Sequence, residues 1–296
     1  MNNSSSIYTG RFAPSPSGPL HFGSLVAALA SYLDARANHG RWLVRMEDID
    51  PPREPSGTAD QILRTLEAYG LQWDDSVLFQ SDRSEAYQAI LDNLLSRQLL
   101  YPCTCTRKQL ADSKGVYPSY CRDNTKLPDS PYSLRLKCPD KTITFHDLIQ
   151  GQQTWNLYES GDFILKRKDQ LFAYQLAVSV DDAFQGITHV IRGCDLLDST
   201  PRQLHLQHIL GYSHPDYGHI PVITLHDGNK LSKQNHAPAI PLDNPRPSLV
   251  QAMKALGMMP EKELSASTIE DILTWGVKHW NLNPIKKAQE IPLASL

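Results

Sequence analysis

The chain has 296 residues, 41% hydrophobic and 21% charged, with 29 basic against 32 acidic side chains and a formal charge of −3. Those proportions describe a soluble globular protein of one large or two smaller domains, at about 100–200 residues per domain, and exclude a disulfide-stapled miniprotein. No run approaches roughly 18 consecutive apolar residues, and the Met1–Ser6 start lacks a signal-peptide profile, so the sequence predicts a cytoplasmic protein with no membrane partner.

Residues 7–12 read as a short strand that runs into a loop holding Pro14, Pro16 and Pro19. Leu25, Val26, Leu29, Tyr32 and Leu33 then make a helical stripe over Leu20–Asn38, closed near Gly40. Trp42–Met46 is an apolar strand whose end carries Glu47, Asp48 and Asp50. Strand, loop, helix and strand make a βαβ unit with a parallel sheet. Two more helices are predicted over Ser56–Tyr69 and Ser84–Leu99, the second capped by Asp82 or Ser84.

From Tyr101 to about Tyr132 the periodicity dissolves, which marks an insertion. Ser133–Leu136, Thr142–Phe145 and Phe163–Leu165 read as antiparallel strands, and Phe172–Val180 as helical or extended. A strand at Thr188–Arg192, a helix at Ser199–Leu210 and a strand at Ile220–Leu225 follow. The proline-rich stretch 238–247 reads as a linker before helices at Ser248–Leu256 and Ala266–Val277. The expected organisation is an α/β domain in two halves, 1–100 and 166–240, an insertion at 101–165 and a short helical segment at 241–296.

Two loops carry phosphate chemistry. At the junction Pro14–Ser24 a helix N-terminus offers backbone N–H groups and its positive dipole end. Gly23 lets a base or phosphate approach there, and His21 can donate to phosphate oxygens. In Asp227–Gln234, Lys230 and Lys233 can close on a triphosphate and stabilise a departing pyrophosphate. Singly, each has a plain reading, a turn capping an ordinary helix and solvated lysines.

Five cysteines, an odd number with three of them at 103, 105 and 121, suit reduced thiols and a metal better than a disulfide framework. Zinc takes four ligands, and no histidine stands near to complete the three thiolates. Tyr117 lies four residues before Cys121, on the same face if the segment is helical. An unmetallated trio of thiols is the plain alternative, and Cys138 and Cys194 read as buried thiols.

Taken together and in this order, the two loops resemble the signatures of class I aminoacyl-tRNA synthetases. His21-Phe22-Gly23-Ser24 stands at the HIGH signature and Lys230-Leu231-Ser232-Lys233-Gln234 at KMSKS, with departures at Ser24, Leu231 and Gln234. The flank from Arg11 to His21 is similar to the glutamyl branch, and the resemblance covers roughly residues 7–240. Where discriminating glutamyl-tRNA synthetases carry a large anticodon-binding region, only about sixty residues follow the lysine loop. In that respect the chain resembles the glutamyl-queuosine tRNA(Asp) synthetases, a family of stand-alone paralogues of the catalytic half.

This resemblance implies a class I Rossmann-like parallel-sheet nucleotide-binding domain, a zinc-containing insertion and a small helical C-terminal part, acting as a monomer. It implies activation of L-glutamate by ATP with Mg²⁺, without tRNA, then transfer of glutamate to the queuosine base in the anticodon of tRNA(Asp). It places His21, Ser24, Lys230 and Lys233 in catalysis, and His21, Gly23, Ser24 and Lys233 on ATP. Glutamate falls to Arg11, Ala13, Ser15, Glu47, Tyr174 and Arg192, and one structural Zn²⁺ to Cys103, Cys105, Tyr117 and Cys121, with Tyr120 the alternative fourth ligand. The chemistry agrees: two carboxylates and an ammonium need cationic donors and an acidic partner, and α/β sheets bind ligands at strand C-terminal ends. A minimal synthetase charging the 3′ end of tRNA(Glu) and an inactive RNA-binding paralogue are the competing readings. Lys166-Arg167-Lys168 and Lys286-Lys287 are candidate phosphate contacts.

Overall fold

The structure is a computed structural model that describes residues 7–113, 116–224 and 238–295. The lysine loop, with Lys230 and Lys233, lies outside the described residues.

β1 (Thr9–Phe12) is buried at every position, and α1 (Phe22–Ala37) turns Leu25, Val26, Leu29 and Leu33 inward. β2 (Arg41–Met46) pairs with β1 in parallel, Arg11 opposite Leu43. After α2 (Thr58–Ala68), the two-residue β3 (Leu78–Phe79) extends the sheet, again parallel, with Phe79 opposite Met46. Neither Asp82 nor Ser84 caps α3 (Ser84–Ser96): a 3-10 turn over Gln80–Arg83 runs straight into it, and Arg83 holds the N-cap position.

β4 (Leu100–Cys103) begins where the sequence pattern dissolves, and β5 (Ser133–Leu136) pairs with it antiparallel. The predicted strand at 142–145 leaves that sheet: β6 (Thr142–Asp147) forms its own hairpin with β7 (Gly151–Asn156). After the single turn α4 (Leu157–Ser160), β8 (Phe163–Lys166) returns to pair with β5. The ambiguous stretch at 172–180 resolves as a helix, α5 (Tyr174–Phe184).

β9 (His189–Gly193), α6 (Thr200–Leu210) and β10 (Asp216–Ile220) form a second parallel βαβ unit. Thr188 N–H donates to Thr9 O at 2.9 Å, which seats β9 beside β1 and joins the two halves. One rim therefore gathers the ends of β1, β2, β3 and β9. The strand expected at Ile220–Leu225, whose last residue lies outside the described residues, is broken at Pro221, which has no N–H to continue the ladder, and β11 (Val222–Thr224) starts beyond it.

Nor is 238–247 a free linker. Ile240 is buried, its N–H donates to Leu20 O at 3.0 Å, and Pro241 O accepts the Tyr69 hydroxyl at 2.9 Å. α7 (Pro245–Ala255) starts three residues before the expected position, its proline at a first-turn position where the missing N–H costs nothing. α8 (Ile269–His279) packs with α7 on α1, so closely that a Cβ on Gly276 would meet Met253 Cε at 2.7 Å. The chain then makes a strand where only helices were expected: β12 (Glu290–Pro292) pairs in parallel with β11.

One core cluster holds Leu29, Trp42 and Leu66 together with Leu249, Met253 and Ile272. Each such side chain contributes about 1.5–3 kcal/mol by leaving water, so the last fifty residues help build the main core. A second cluster centres on Tyr87, Leu91, Leu136, Leu165 and Leu176, under the antiparallel sheet. Among the described residues no helix is long and apolar enough to cross a membrane.

Candidate active site

The proline loop is tied to the rim: Glu47 N–H donates to Pro14 O at 3.0 Å, and Ser17 N–H to Ser15 O at 2.8 Å. His21 is the N-cap of α1, its Nδ1 accepting the Ser24 N–H at 3.2 Å. An accepting Nδ1 carries no proton, so a neutral ring has its proton on Nε2. The cap uses the Ser24 backbone N–H, so a ligand would meet Ser24 through its hydroxyl.

Arg11, at the end of β1, is buried and faces Asp182 of α5 with two hydrogen bonds of 3.3 Å each. Asp182 also pairs with Arg45 at 2.8 Å, and Arg45 lies 3.7 Å from Glu47. Burial works to raise the Asp182 carboxyl, but Arg11 and Arg45 outweigh it and hold the group below the ordinary carboxylate range. Glu47 goes the other way: burial pushes it up to about 7 against the pull of Arg45 and Arg11. Glu47 and Arg192 are only 8% and 5% exposed, so neither is a surface ion pair.

Arg192, on β9, donates from Nη1 to the Tyr174 hydroxyl at 3.2 Å and from Nη2 to Thr200 Oγ1 at 2.7 Å. Its Nε donates to His219 Nε2 at 3.0 Å. Arginine only donates, so His219 Nε2 must accept, and the ring proton on Nδ1 faces Asp147 Oδ2 at 2.5 Å. Burial, with Arg192 adding to it, keeps His219 below its ordinary value and hence neutral. Asp147 is fixed in turn by the N–H groups of Ile149, Gln150 and His219.

A cavity of about 510 Å³ opens on this rim, lined by Ser15, Glu47 and Tyr174 and further along by Ile49, Glu54 and Gln80. That volume lies within the usual range for small-ligand pockets, roughly 300–1,000 Å³. The basic run 166–168 is engaged by the chain itself, Lys166 with Gln88, Arg167 with Asp169 and Asp50, Lys168 with Thr104 O.

Away from this rim, the sulfurs of Cys103, Cys105 and Cys121 lie within 4.8 Å of one another as free thiols. Cys105 and Cys121 sulfurs are 3.5 Å apart, against about 3.8 Å for two thiolates on tetrahedral zinc. The Tyr117 hydroxyl completes a fourth corner, 3.4 Å from Cys103 and 3.5 Å from Cys105. No helix brings it there: the segment is a turn with Ser119 at φ 61°, and Tyr117 Oη accepts the Cys121 N–H at 2.9 Å. Tyr120 is 69% exposed, while Tyr117 is buried with the Arg135 guanidinium 3.8 Å over its ring. Burial works to raise the Cys121 thiol, but hydrogen bonding with Tyr117 and the Thr104 backbone brings it down to about 7. Three sulfurs at this spacing and a fourth oxygen corner fit a tetrahedral zinc.

A family model for the catalytic domain of class I tRNA synthetases (E and Q) matches residues 8–284. The glutamyl-Q tRNA(Asp) synthetase of Ectopseudomonas mendocina is 52% identical over 290 residues, 98% of each chain. That of Pseudomonas fluorescens is 50% identical over 295 residues, 99% of each chain. The chain belongs to the class I E and Q tRNA synthetases, among the glutamyl-Q tRNA(Asp) synthetases. A glutamate tRNA ligase from Elizabethkingia meningosepticum, solved in complex with its amino acid, matches with a TM-score of 0.80 at 26% identity. The match covers 97% of this chain and 67% of that one.

As a glutamyl-Q tRNA(Asp) synthetase family member, the chain is a ligase-type enzyme. Its rim brings Arg11, Glu47, Tyr174 and Arg192 together, with Ser15 on the same cavity. Sequence reasoning missed Asp182, Arg45, His219 and Asp147, the buried partners that orient the two arginines and the acid. The one signal available was composition: paired Asp181-Asp182 in an otherwise apolar helical run, where charge without a partner is costly.

Proposed function

We propose that this enzyme activates L-glutamate with ATP to glutamyl-adenylate without tRNA, then esterifies it to the queuosine base in the anticodon of tRNA(Asp). The observation that carries the reading is the buried charge set on the rim. Arg11 and Arg192 bring two buried guanidiniums and Glu47 a buried acid to one place, the cationic donors and the acidic partner that glutamate's two carboxylates and one ammonium need. Relatives about half identical over nearly the whole chain bear the glutamyl-Q tRNA(Asp) name.

Arg11 and Arg192 take the carboxylates, Glu47 takes the ammonium, the Tyr174 hydroxyl hydrogen-bonds the amino acid, and Ala13 and Ser15 lie along it. An α-carboxylate oxygen attacks the ATP α-phosphorus in line. The new P–O bond forms as the bond to the pyrophosphate oxygen breaks, and pyrophosphate leaves with the electron pair. His21 Nε2–H, the α1 N-terminus at Gly23, the Ser24 hydroxyl, Lys230 and Lys233 neutralise the charge that develops, and ATP enters as its Mg²⁺ complex. Positioning of the two reactants supplies much of the rest. A queuosine hydroxyl oxygen then bonds to the glutamyl carbonyl carbon, AMP departs with the electron pair, and the hydroxyl proton passes to solvent. Cys103, Cys105, Cys121 and Tyr117 hold one structural zinc, which fixes the turn at 117–123 against β4.

The test is glutamate-dependent ATP–pyrophosphate exchange without tRNA, followed by labelled glutamate offered with tRNA(Asp) that carries or lacks queuosine. The expected result is exchange without tRNA and label on the queuosine-bearing tRNA alone. No exchange overturns the reading. Label on the terminal adenosine of tRNA(Glu) replaces it with charging of the tRNA end.

A further inference from the structure

The active-site cavity continues past the amino-acid residues, and its far wall holds polar groups that the activation step does not use. Gln80 is wholly buried yet lines this cavity, and the register of β3 on β2, Phe79 opposite Met46, sets it beside Glu47. Its Nε2 donates to Asp181 Oδ2 at 3.0 Å, while Asp181 also takes the Tyr87 hydroxyl at 2.5 Å and Arg83 Nε at 3.2 Å. A carboxylate only accepts, so the amide cannot be turned over, and Oε1 is left as an acceptor. That Oε1 has no hydrogen-bond partner among the described residues. A buried acceptor left unmade, in a wall of a ligand cavity, calls for a donor from the ligand.

Glu54 stands in the same wall, partly exposed, its Oε1 accepting the Asp50 N–H at 2.8 Å. The arginines nearby are spent on Asp50, with Arg53 Nε at 2.6 Å and Arg167 Nη1 at 3.2 Å. Burial pushes the Glu54 carboxyl up and the charges of Asp48 and Asp50 add to it, as befits an anion short of a counter-ion. Ile49 and Phe172 supply apolar surface to the same cavity. A group that fits is small, partly apolar, rich in hydroxyl or N–H donors, and cationic.

We propose that Gln80 Oε1 and the Glu54 carboxylate form an acceptor subsite for the hydroxylated, positively charged cyclopentene arm of the acceptor nucleoside. The inference rests on the function proposed above, in which that nucleoside is queuosine. Its cyclopentenediol hangs from the deazaguanine through a secondary amine, protonated at neutral pH, so the arm offers a cation and two hydroxyl donors together. Unmodified guanine lacks the arm, and a terminal adenosine brings hydroxyls without the charge. Gln80 and Glu54 thus select the modified base and hold its hydroxyl beside the glutamyl group bound at Glu47 and Tyr174.

The experiment measures two activities in one preparation of the full chain: glutamate-dependent pyrophosphate exchange, and transfer of labelled glutamate to queuosine-bearing tRNA(Asp). Glu54→Gln and Gln80→Met should each lower transfer kcat/KM about tenfold or more relative to exchange, chiefly through KM for the tRNA, the scale of a hydrogen bond to a charged partner. Glu54 is partly exposed, so Glu54→Gln carries the test if Gln80→Met, which also breaks a bond to Asp181, fails to fold. Transfer and exchange falling together, or neither falling in Glu54→Gln, overturns the subsite. A parent chain that transfers nothing to queuosine overturns the function reading itself, a result distinct from a parent that transfers and variants that match it.

Discussion

The Arg11 guanidinium lies fork to fork on Asp182, Nε to Oδ1 and Nη2 to Oδ2, both at 3.3 Å. An arginine that the sequence offers as a carboxylate ligand therefore already holds a carboxylate, and its plane is set before substrate arrives. Asp182 also separates Arg11 from the wholly buried Arg45. Asp182→Asn would leave two buried guanidiniums facing each other without the charge between them. Breaking a buried pair on one side costs about 3–5 kcal/mol, so the variant should unfold at a correspondingly lower urea concentration. The folded fraction should show a raised KM for glutamate in pyrophosphate exchange. A variant with parental stability and parental KM would contradict the orienting role.

Glu47 makes the first step pH-dependent. Its folded value stands at about 7, so below that pH the free enzyme holds a neutral carboxyl where the proposed contact with the substrate ammonium needs an anion. The kcat/KM for glutamate in exchange should fall as pH drops through about 7, about tenfold per unit well below it, because that ratio reports groups on the free enzyme. Stability has the opposite sign for this group: a raised folded value contributes stability at low pH that is lost as pH rises through about 7. Burial brings His205 down to about 4, so its contribution is present above its ordinary value of 6.5 and lost as pH falls through about 4. The two oppose each other across the acid range. Glu47→Gln should thus both remove the acid limb of the activity profile and steepen the acid loss of stability, seen in urea midpoints at several pH values.

Much of this site is legible in the sequence because Arg11, Glu47 and Arg192 stand at strand ends beside a proline-rich loop that carries a family signature. Their partners are not. Asp182 lies 171 residues from Arg11, and Asp147 lies 72 from His219, so only the folded chain brings them together. The same holds for the elements. α1 announces itself by its apolar stripe, and its bounds differ from expectation by two residues at the start and one at the end. β7, Gly-Gln-Gln-Thr-Trp-Asn, has no alternation to find, and is a strand because β6 pairs with it. β3 and β12 are two and three residues long, too short for any period to show, and depend on a parallel neighbour already in place.

His21 has two separable jobs. Its Nδ1 caps α1 through the Ser24 N–H, and in the proposed reaction Nε2–H donates to phosphate. Asparagine can keep the cap and cannot supply the second donor at that reach. His21→Ala should therefore cost about 1 kcal/mol of stability while His21→Asn costs little. Both should lower exchange by roughly 10²–10³, the usual loss when one charge-stabilising donor is removed. Equal exchange in His21→Asn and parent would confine His21 to capping.

The two tyrosines of the cysteine turn make different predictions for the metal. Tyr117 Oη lies within 3.5 Å of two of the sulfurs, and Tyr120 is largely in solvent. If Tyr117 is the fourth ligand, Tyr117→Phe should weaken zinc at least as much as loss of an outer-shell partner does, roughly 10–100-fold, read by competition with a chromophoric chelator. Tyr120→Phe should match the parent. Cys121→Ala removes a thiolate while keeping the backbone N–H that seats Tyr117, and should yield protein without bound zinc by elemental analysis. The phenol should lose its proton only when metal arrives, because burial and the neighbouring thiols push it above its ordinary value. Zinc binding to the apo chain should then produce the ultraviolet difference band of a tyrosinate, present in Tyr120→Phe and absent from Tyr117→Phe. Zinc binding with no such band in the parent would leave the cation on three thiolates and a solvent ligand.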